Sequence, residues 1–393
     1  MTDKFNYRDY YLYKYHKYKQ KYMKLIRGGA SPFVYYRTVK DDFIIDNKTY
    51  KLSQSIDACL IIYENKEDSS DKIVIKKGQG KERSIFHDAY IINILGDQCG
   101  LIGAKIGIRE GSDQSLVTAL LQLENWPITE TIKRNWEDLI YVRPADSRLI
   151  IKGLLPPPPY PRIIMDYMDG DIDKLPLSLL QVCDLCLYLL ETCECLFDKS
   201  LAYIDMKKQN VLYKINNGIK FTLGDLGGIV PFKADTLRYL TFPTYLRKTN
   251  EGKEGDFIVL DDNPTLHDVF YGIGVVLLTT RYTDKDFLIT LSKYKALYVL
   301  NNNKSAMISD LNDKIEHIKS DEEQLNNILE MFRDLAYGLI VINKDSPKNL
   351  TKPLFLYTKE DQDFVTSEFE MIINKVKAIQ LKCFTKPYQW TLS

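Results

Sequence analysis

The sequence predicts an α+β chain with a strand-rich front half and a helix-rich back half. Two observations predict it. Between residues 35 and 77 runs rich in β-branched and aromatic residues follow one another, the composition of strands. From residue 176 onward, long segments repeat their apolar residues at helical spacing. That segregation favours two α+β lobes with a cleft between them. A length of 393 residues leaves room for both lobes and their cores. Lys plus Arg (53) equals Asp plus Glu (53), so net charge does not drive the chain toward nucleic acid or a membrane surface. No apolar run reaches the roughly eighteen residues that a membrane span needs. The N-terminus lacks the apolar middle of a secretory signal. Seven cysteines, an odd number, do not suit a disulfide framework, and a reducing, intracellular setting fits them best.

In chain order, residues 1–29 form a tail. In "YLYKYHKYKQKYMKLIRGG", Tyr11, Tyr15, Tyr18, Tyr22 and Leu25 fall on one heptad seam of a helix, with Lys14, Lys17, Lys19, Lys21 and Lys24 around it. Eight Lys or Arg against two Asp give this tail a net charge of +6, suited to docking a partner or an acidic surface. Gly28-Gly29 should stop the helix. "FIIDNKTYKL", "ACLIIYE" and "DKIVIKK" then read as strands, and "ERSIFHDAYIINILG" (82–96) as a helix burying Ile85, Ala89, Ile92 and Gly96. After residue 100 the pattern is unclear until "LLPPPPYPR", a stiff connector into the strand "IIMDYM". "LPLSLLQVCDLCLYLLETCECLF", "LHDVFYGIGVVLLTT", "DEEQLNNILEMFRDLAYGLIVI" and "DQDFVTSEFEMIINKVKAI" read as helices. In the first of these, Cys183, Cys186, Cys193 and Cys195 read as buried small apolar side chains. Zinc ligands come from turns, and three of these cysteines sit at helical spacing.

The chemistry gathers in "LAYIDMKKQNVLYKINNGIKFTLGDLGG", residues 201–228. A strand ending at Ile204 places Asp205 at the start of a rigid turn, and Asn210 begins the next strand. The spacing is D-x-x-x-x-N, in which the Asp accepts a proton from an attacking hydroxyl and the Asn holds a metal ion. Lys207 can neutralise charge on a moving phosphoryl group. "NNG" makes a hairpin turn, and the returning strand delivers Asp225 to bridge metal and phosphate oxygens.

These residues resemble the protein kinase family. "YIDMKKQN" (203–210) looks like its H-R-D-x-x-x-x-N loop, and "DLG" (225–227) like D-F-G. The resemblance implies a bilobal kinase-like fold with a front lobe at 30–168, carrying an insertion around 100–160, and a helical back lobe at 169–393. It implies ATP and Mg²⁺ as cofactors, the metal held by Asn210 and Asp225. "IVIK" is similar to V-A-I-K, so Lys76 should pair with the α- and β-phosphates, and its acidic partner on the next helix is Asp88 or Glu82. "LSQSIDACL" stands where the Gly-rich loop belongs, with Leu52, Ser53, Ser55, Ala58 and Leu60 over the nucleotide. Met165 would lie deep in the adenine pocket, with Asp166 and Met168 offering backbone groups. Asp268 is nominated to support the catalytic loop.

The departures carry consequences. Tyr203 and Ile204 replace the His and Arg of H-R-D, so activity should not depend on activation-loop phosphorylation. "TFPTYLRK" has no Glu for the A-P-E motif, and "INKDSPKNLTKP" lacks the Arg that would pair with it. Ser53, Ser55 and Ala58 replace glycines, at about 1–2 kcal/mol each wherever φ must be positive. Lys207 resembles the serine/threonine class, which makes the expected activity transfer of the γ-phosphoryl group to protein hydroxyls. The alternatives are a pseudokinase used as a binding scaffold and a small-molecule kinase. The Tyr/Lys-rich tail resembles the N-termini of proteins from giant DNA viruses of amoebae, which implies a viral kinase in host cytoplasm or in virions, with Gly28-Gly29 as a processing site.

Overall fold

The computed structural model describes residues 32–56, 59–77, 82–96, 98–110, 162–232, 238–239, 259–260, 265–280, 335, 339, 347–352 and 354–383. The tail at 1–29, Ala58, most of 100–160, the proline run, "TFPTYLRK" and nearly all of the helix expected at 321–342 lie outside them. The described residues mix strand and helix and fall into two units. One runs to Gln98 and resumes from Ile102, ending at Tyr167; the other takes Cys99–Leu101 and continues from Met168.

The first unit is a closed barrel of seven strands: β1 (Phe33–Val39), β2 (Asp42–Ile45), β3 (Lys48–Ser55), β4 (Leu60–Asn65), β5 (Lys72–Lys76), β6 (Ala104–Arg109) and β7 (Arg162–Asp166). The β2–β3 turn is made by Asp46 and Asn47, both at positive φ, a conformation these short polar side chains tolerate. Closure was not implied by the family resemblance. It comes from β1 pairing in parallel with β6, Phe33 opposite Ile106 and Tyr35 opposite Ile108, which leaves the sheet without an open edge. Strand alternation turns Val34, Tyr36, Phe43, Ile45, Tyr50, Ile75 and Ile164 into one core cluster. The Arg162 guanidinium lies 5.3 Å from the Tyr36 ring centroid and 5.5 Å from that of Phe43.

The helix α1 (Glu82–Leu95) lies against β6 and β7. As expected, Ile85, Ala89 and Ile92 are buried. Gly96 is not on that face: it is exposed at φ 55 just past the helix end, where its lack of a side chain permits the left-handed turn. Ile91 and Leu95 complete the buried face instead.

In the second unit, α2 (Leu179–Phe197) begins with a capping box between Ser178 and Gln181. It buries Leu179, Val182, Cys183, Cys186, Leu189, Leu190, Cys193 and Leu196 at helical spacing. The cysteine reading holds for the three buried thiols and fails for Cys195. That residue is partly exposed on another side of α2 and forms a disulfide with Cys99, 96 positions earlier. The helices α3 (Leu266–Thr279) and α4 (Lys359–Cys383) pack around α2 through rings. Phe369 of α4 sits 5.7 Å from Phe197 and 5.1 Å from Phe270, both edge-on, worth roughly 0.5–1.5 kcal/mol per pair beyond burial. Short strands carry the loops: β8 (Gly170–Asp171), β9 (Leu201–Tyr203), β10 (Val211–Ile215), β11 (Ile219–Leu223) and β12 (Ile229–Pro231). β10 pairs with β11 across a turn in which Asn217 and Gly218 take positive φ. β9 pairs with β12.

Candidate active site

Strand β9 ends at Tyr203, one residue before the expected end, although the N–H of Ile204 still donates to the carbonyl of Gly228 at 2.8 Å, the next position in the β9–β12 register. The chain then loops through Asp205, Met206 and Lys207. A single 3-10 turn, Lys208–Asn210, rather than a strand start, carries Asn210 into β10. Lys207 Nζ stands 2.7 Å from Asp205 Oδ2. The Asn210 amide donates to Asp205 O at 2.8 Å and to Asp205 Oδ2 at 3.1 Å. One carboxylate oxygen thus receives both the cation and the amide, fixing the orientation of the Asp205 side chain.

Asp225 emerges two residues beyond β11, exposed and left-handed at φ 44 and ψ 74. For a residue with a Cβ this conformation costs roughly 1–2 kcal/mol and persists only where the surroundings hold it. Gly228 N donates to Asp225 O at 2.9 Å, and the same stretch is held by Tyr203. Its buried Oη donates to Gly224 O at 2.8 Å and lies 3.4 Å from Asp225 O. Burial drives this phenol well above its ordinary pKa, and the negative charges of Asp225 and Asp205 push the same way, so it remains a donor. Gly224 N donates to Asn210 O at 2.8 Å, tying the two loops together again.

Two glycines let backbones close on this loop. A Cβ on Gly228 would stand 3.1 Å from both Asp205 Cβ and the Tyr203 ring, and one on Gly272 of α3 would stand 2.6 Å from Met206 Cβ. Asp268, nominated as the loop's support, spends Oδ2 on capping α3, accepting from Thr265 N and Oγ1 at 2.9 and 2.8 Å. Gly272, one turn further on, lies against Met206. Lys208, unmarked in the sequence reading, is buried and pairs with Asp173 at 2.6 Å. Gly272 was also missed, and Tyr203 was named only as a replacement for histidine, its anchoring role unread; a glycine in an apolar helix and a tyrosine at a strand end were the available signals.

The remaining expected residues that the structure describes lie on the barrel unit, apart from Met168. Lys76 ends β5 with its Nζ 2.8 Å from Asp88 Oδ2, so of the two acidic partners Asp88 makes the pair; side-chain exposures of 16% and 2% mark it as buried. Leu52, Ser53 and Ser55 are exposed at the end of β3, and Leu60 is half-buried at the start of β4. Neither Ser53 nor Ser55 has positive φ, so the strain expected of them does not arise. A bulge between Leu52 and Gln54 absorbs the irregularity, and Ser53 Oγ donates to Glu64 Oε2 at 3.3 Å. Met165 is half-buried, paired with Val74 on one side and Ala104 on the other. Asp166 donates its N–H to Gly103 O at 2.9 Å, so that N–H is already engaged within the barrel unit. Met168 is half-buried in the second unit.

Asn210 and Asp225 carry oxygen donors of the kind that magnesium takes. With its NH₂ turned to Asp205, the Asn210 amide presents oxygen as its ligand atom, and the Asp225 side chain makes no capping bond to the turn that follows it. An amide oxygen and a carboxylate are donors that suit magnesium rather than zinc or copper.

No protein-family model matches the chain, and no curated protein matches it. Among solved structures, that of vaccinia related kinase 3 aligns with a TM-score of 0.40 and 13% identity, covering 87% of this chain and 90% of that one. Likeness at this level leaves the site to be judged on its own geometry. Among the described residues, no helix is long and apolar enough to cross a membrane.

Proposed function

We propose that the chain is an ATP- and magnesium-dependent phosphotransferase of the protein kinase type, the barrel unit standing for the N-lobe and the helical unit for the C-lobe. It would transfer the γ-phosphoryl group to serine or threonine hydroxyls. One observation carries the reading: Asp205, Lys207 and Asn210 form a bonded cluster on one short loop, and Tyr203 ties that loop to the backbone beneath Asp225. Phosphoryl transfer asks little more of a protein than charges positioned in this way.

In this reading Asp205 orients the acceptor hydroxyl and takes its proton, while the bond to Asn210 Nδ2 keeps the carboxylate from turning. Lys207 leaves its resting pair with Asp205 to meet the transferring phosphoryl group. Asn210 and Asp225 are the residues that would hold magnesium, which when bound neutralises phosphate charge. Lys76, steadied by Asp88, takes the α- and β-phosphates. Leu52, Ser53, Ser55, Ala58 and Leu60 are assigned to cover the nucleotide, and Met165, Asp166 and Met168 to receive adenine.

A thermal-shift titration with ATP tests the binding half of the proposal. ATP with magnesium should raise Tm more than ATP alone, and Asp225→Asn should lose the magnesium-dependent part. A Tm indifferent to ATP and magnesium at millimolar concentration would refute nucleotide binding.

A further inference from the structure

The turn Cys99–Leu101 is fastened to the second unit at several points. Cys99 is joined to Cys195 of α2. The Gly100 carbonyl accepts from Tyr188 Oη at 2.9 Å and from Thr222 Oγ1 at 3.1 Å. Leu101 forms a parallel bridge with Leu223. Tyr188 closes the circuit, its oxygen accepting the Leu223 N–H at 2.6 Å. Every non-covalent fastening thus bears on the end of β11, two residues before Asp225. Cys99 and Gly100 are consecutively left-handed, at φ 61 and 65, and a cysteine stays in that region only where something holds it.

We propose that the Cys99–Cys195 disulfide is a redox-sensitive staple that sets the position of Asp225 through Gly100, Tyr188 and the end of β11. Its consequence for magnesium rests on the phosphotransfer reading above; the staple itself does not. Both sulfur-bearing residues are partly exposed, so a dithiol can reach them. One reductant thiolate attacks a sulfur of the bridge, forming a mixed disulfide and releasing the other cysteine as thiolate. The second reductant thiol loses its proton and displaces the remaining cysteine, leaving oxidised reductant and two cysteine thiolates that take up the two protons the dithiol gave up. Reversal by an oxidised dithiol restores the bridge. Cys183, Cys186 and Cys193 do not compete, since all three are buried and burial pushes the Cys193 thiol up to about 12.

The test is hydrogen exchange at the Leu223 and Gly224 amides, read beside the magnesium dependence of turnover. Air-oxidised and dithiothreitol-reduced wild type are compared with Cys99→Ser and Cys195→Ser. Reduction should speed exchange at both amides and raise the magnesium concentration for half-maximal turnover about tenfold, the size of a lost supporting contact behind a metal ligand. Both serine variants should match reduced wild type and ignore the reductant. Unchanged exchange on reduction, a Cys99→Ser protein that still responds to dithiothreitol, or seven free thiols in the air-oxidised protein would overturn the staple. Exchange that responds to reduction in a protein without turnover upholds the staple and counts against phosphotransfer. Turnover with redox-independent exchange and magnesium requirement does the reverse.

Discussion

Replacing Gly272 by alanine sets two effects against each other. In a helix interior alanine is favoured over glycine by about 0.8–1.0 kcal/mol. Here the new methyl would stand 2.6 Å from Met206 Cβ and 3.3 Å from its Cγ, so the loop or the helix must move about 0.8 Å to reach ordinary contact at 3.4 Å. Overpacking of this kind costs about 1–3 kcal/mol. The balance is a loss of about 0–2 kcal/mol, or a fall in Tm of up to about 8 °C at roughly 2–4 °C per kcal/mol. Met206 lies between Asp205 and Lys207, so the displacement reaches the groups proposed to react, and misplacement near 1 Å costs about a hundredfold in rate. Calorimetry and steady-state turnover on Gly272→Ala measure both quantities. A Tm raised by the propensity gain, with wild-type turnover, would refute the claim that α3 presses on the loop.

Further outcomes follow from other contacts. Tyr203→Phe removes the donor to the buried Gly224 carbonyl and should cost about 1–3 kcal/mol by calorimetry, with a raised magnesium requirement; an unchanged Tm and magnesium requirement would deny Tyr203 its anchoring role. Lys76→Met strands the Asp88 carboxylate and should cost about 3–5 kcal/mol, most of it recovered in Lys76→Met/Asp88→Leu, whereas equal melting of single and double variants would contradict a buried pair. The hydrogen bond from Lys352, with others from Thr358, holds the Asp361 carboxyl below its ordinary value of 3.8. The stabilisation this gives is therefore present above the unfolded value and lost as pH falls through the folded one. Asp361→Asn should lower Tm at neutral pH and flatten the acid limb of a Tm–pH curve; a limb as steep as in wild type would assign it to other groups.

What was legible in the sequence was local. Asp205 and Asn210 are five residues apart, and a short hairpin separates them from Asp225, so strand and turn chemistry along one stretch sufficed to name them. The helices α2, α3 and α4 were legible for the same reason, through their apolar period, whereas the capping box of Ser178 with Gln181 was seen only in the structure. Contacts between distant segments were not. The parallel pairing of β1 with β6, and the disulfide between cysteines 96 positions apart, depend on chain paths that composition does not encode. An odd cysteine count argued against a framework of bridges, and one bridge alone leaves the count of the others odd. The strain expected at Ser53 and Ser55 failed because a bulge lets ordinary φ values serve there. Gly272 stands out in sequence as a glycine in an apolar helix, but its contact with Met206, distant along the chain, is not legible there.

The central claim is that Asp205 takes the proton of an acceptor hydroxyl during phosphoryl transfer. Transfer of label from γ-labelled ATP with magnesium, comparing wild type with Asp205→Asn, measures it most directly. The account predicts a loss of about 10²–10⁴-fold in the variant, with the ATP–magnesium thermal shift retained. Equal transfer by both proteins, or no transfer by a wild type that binds the nucleotide, would contradict it.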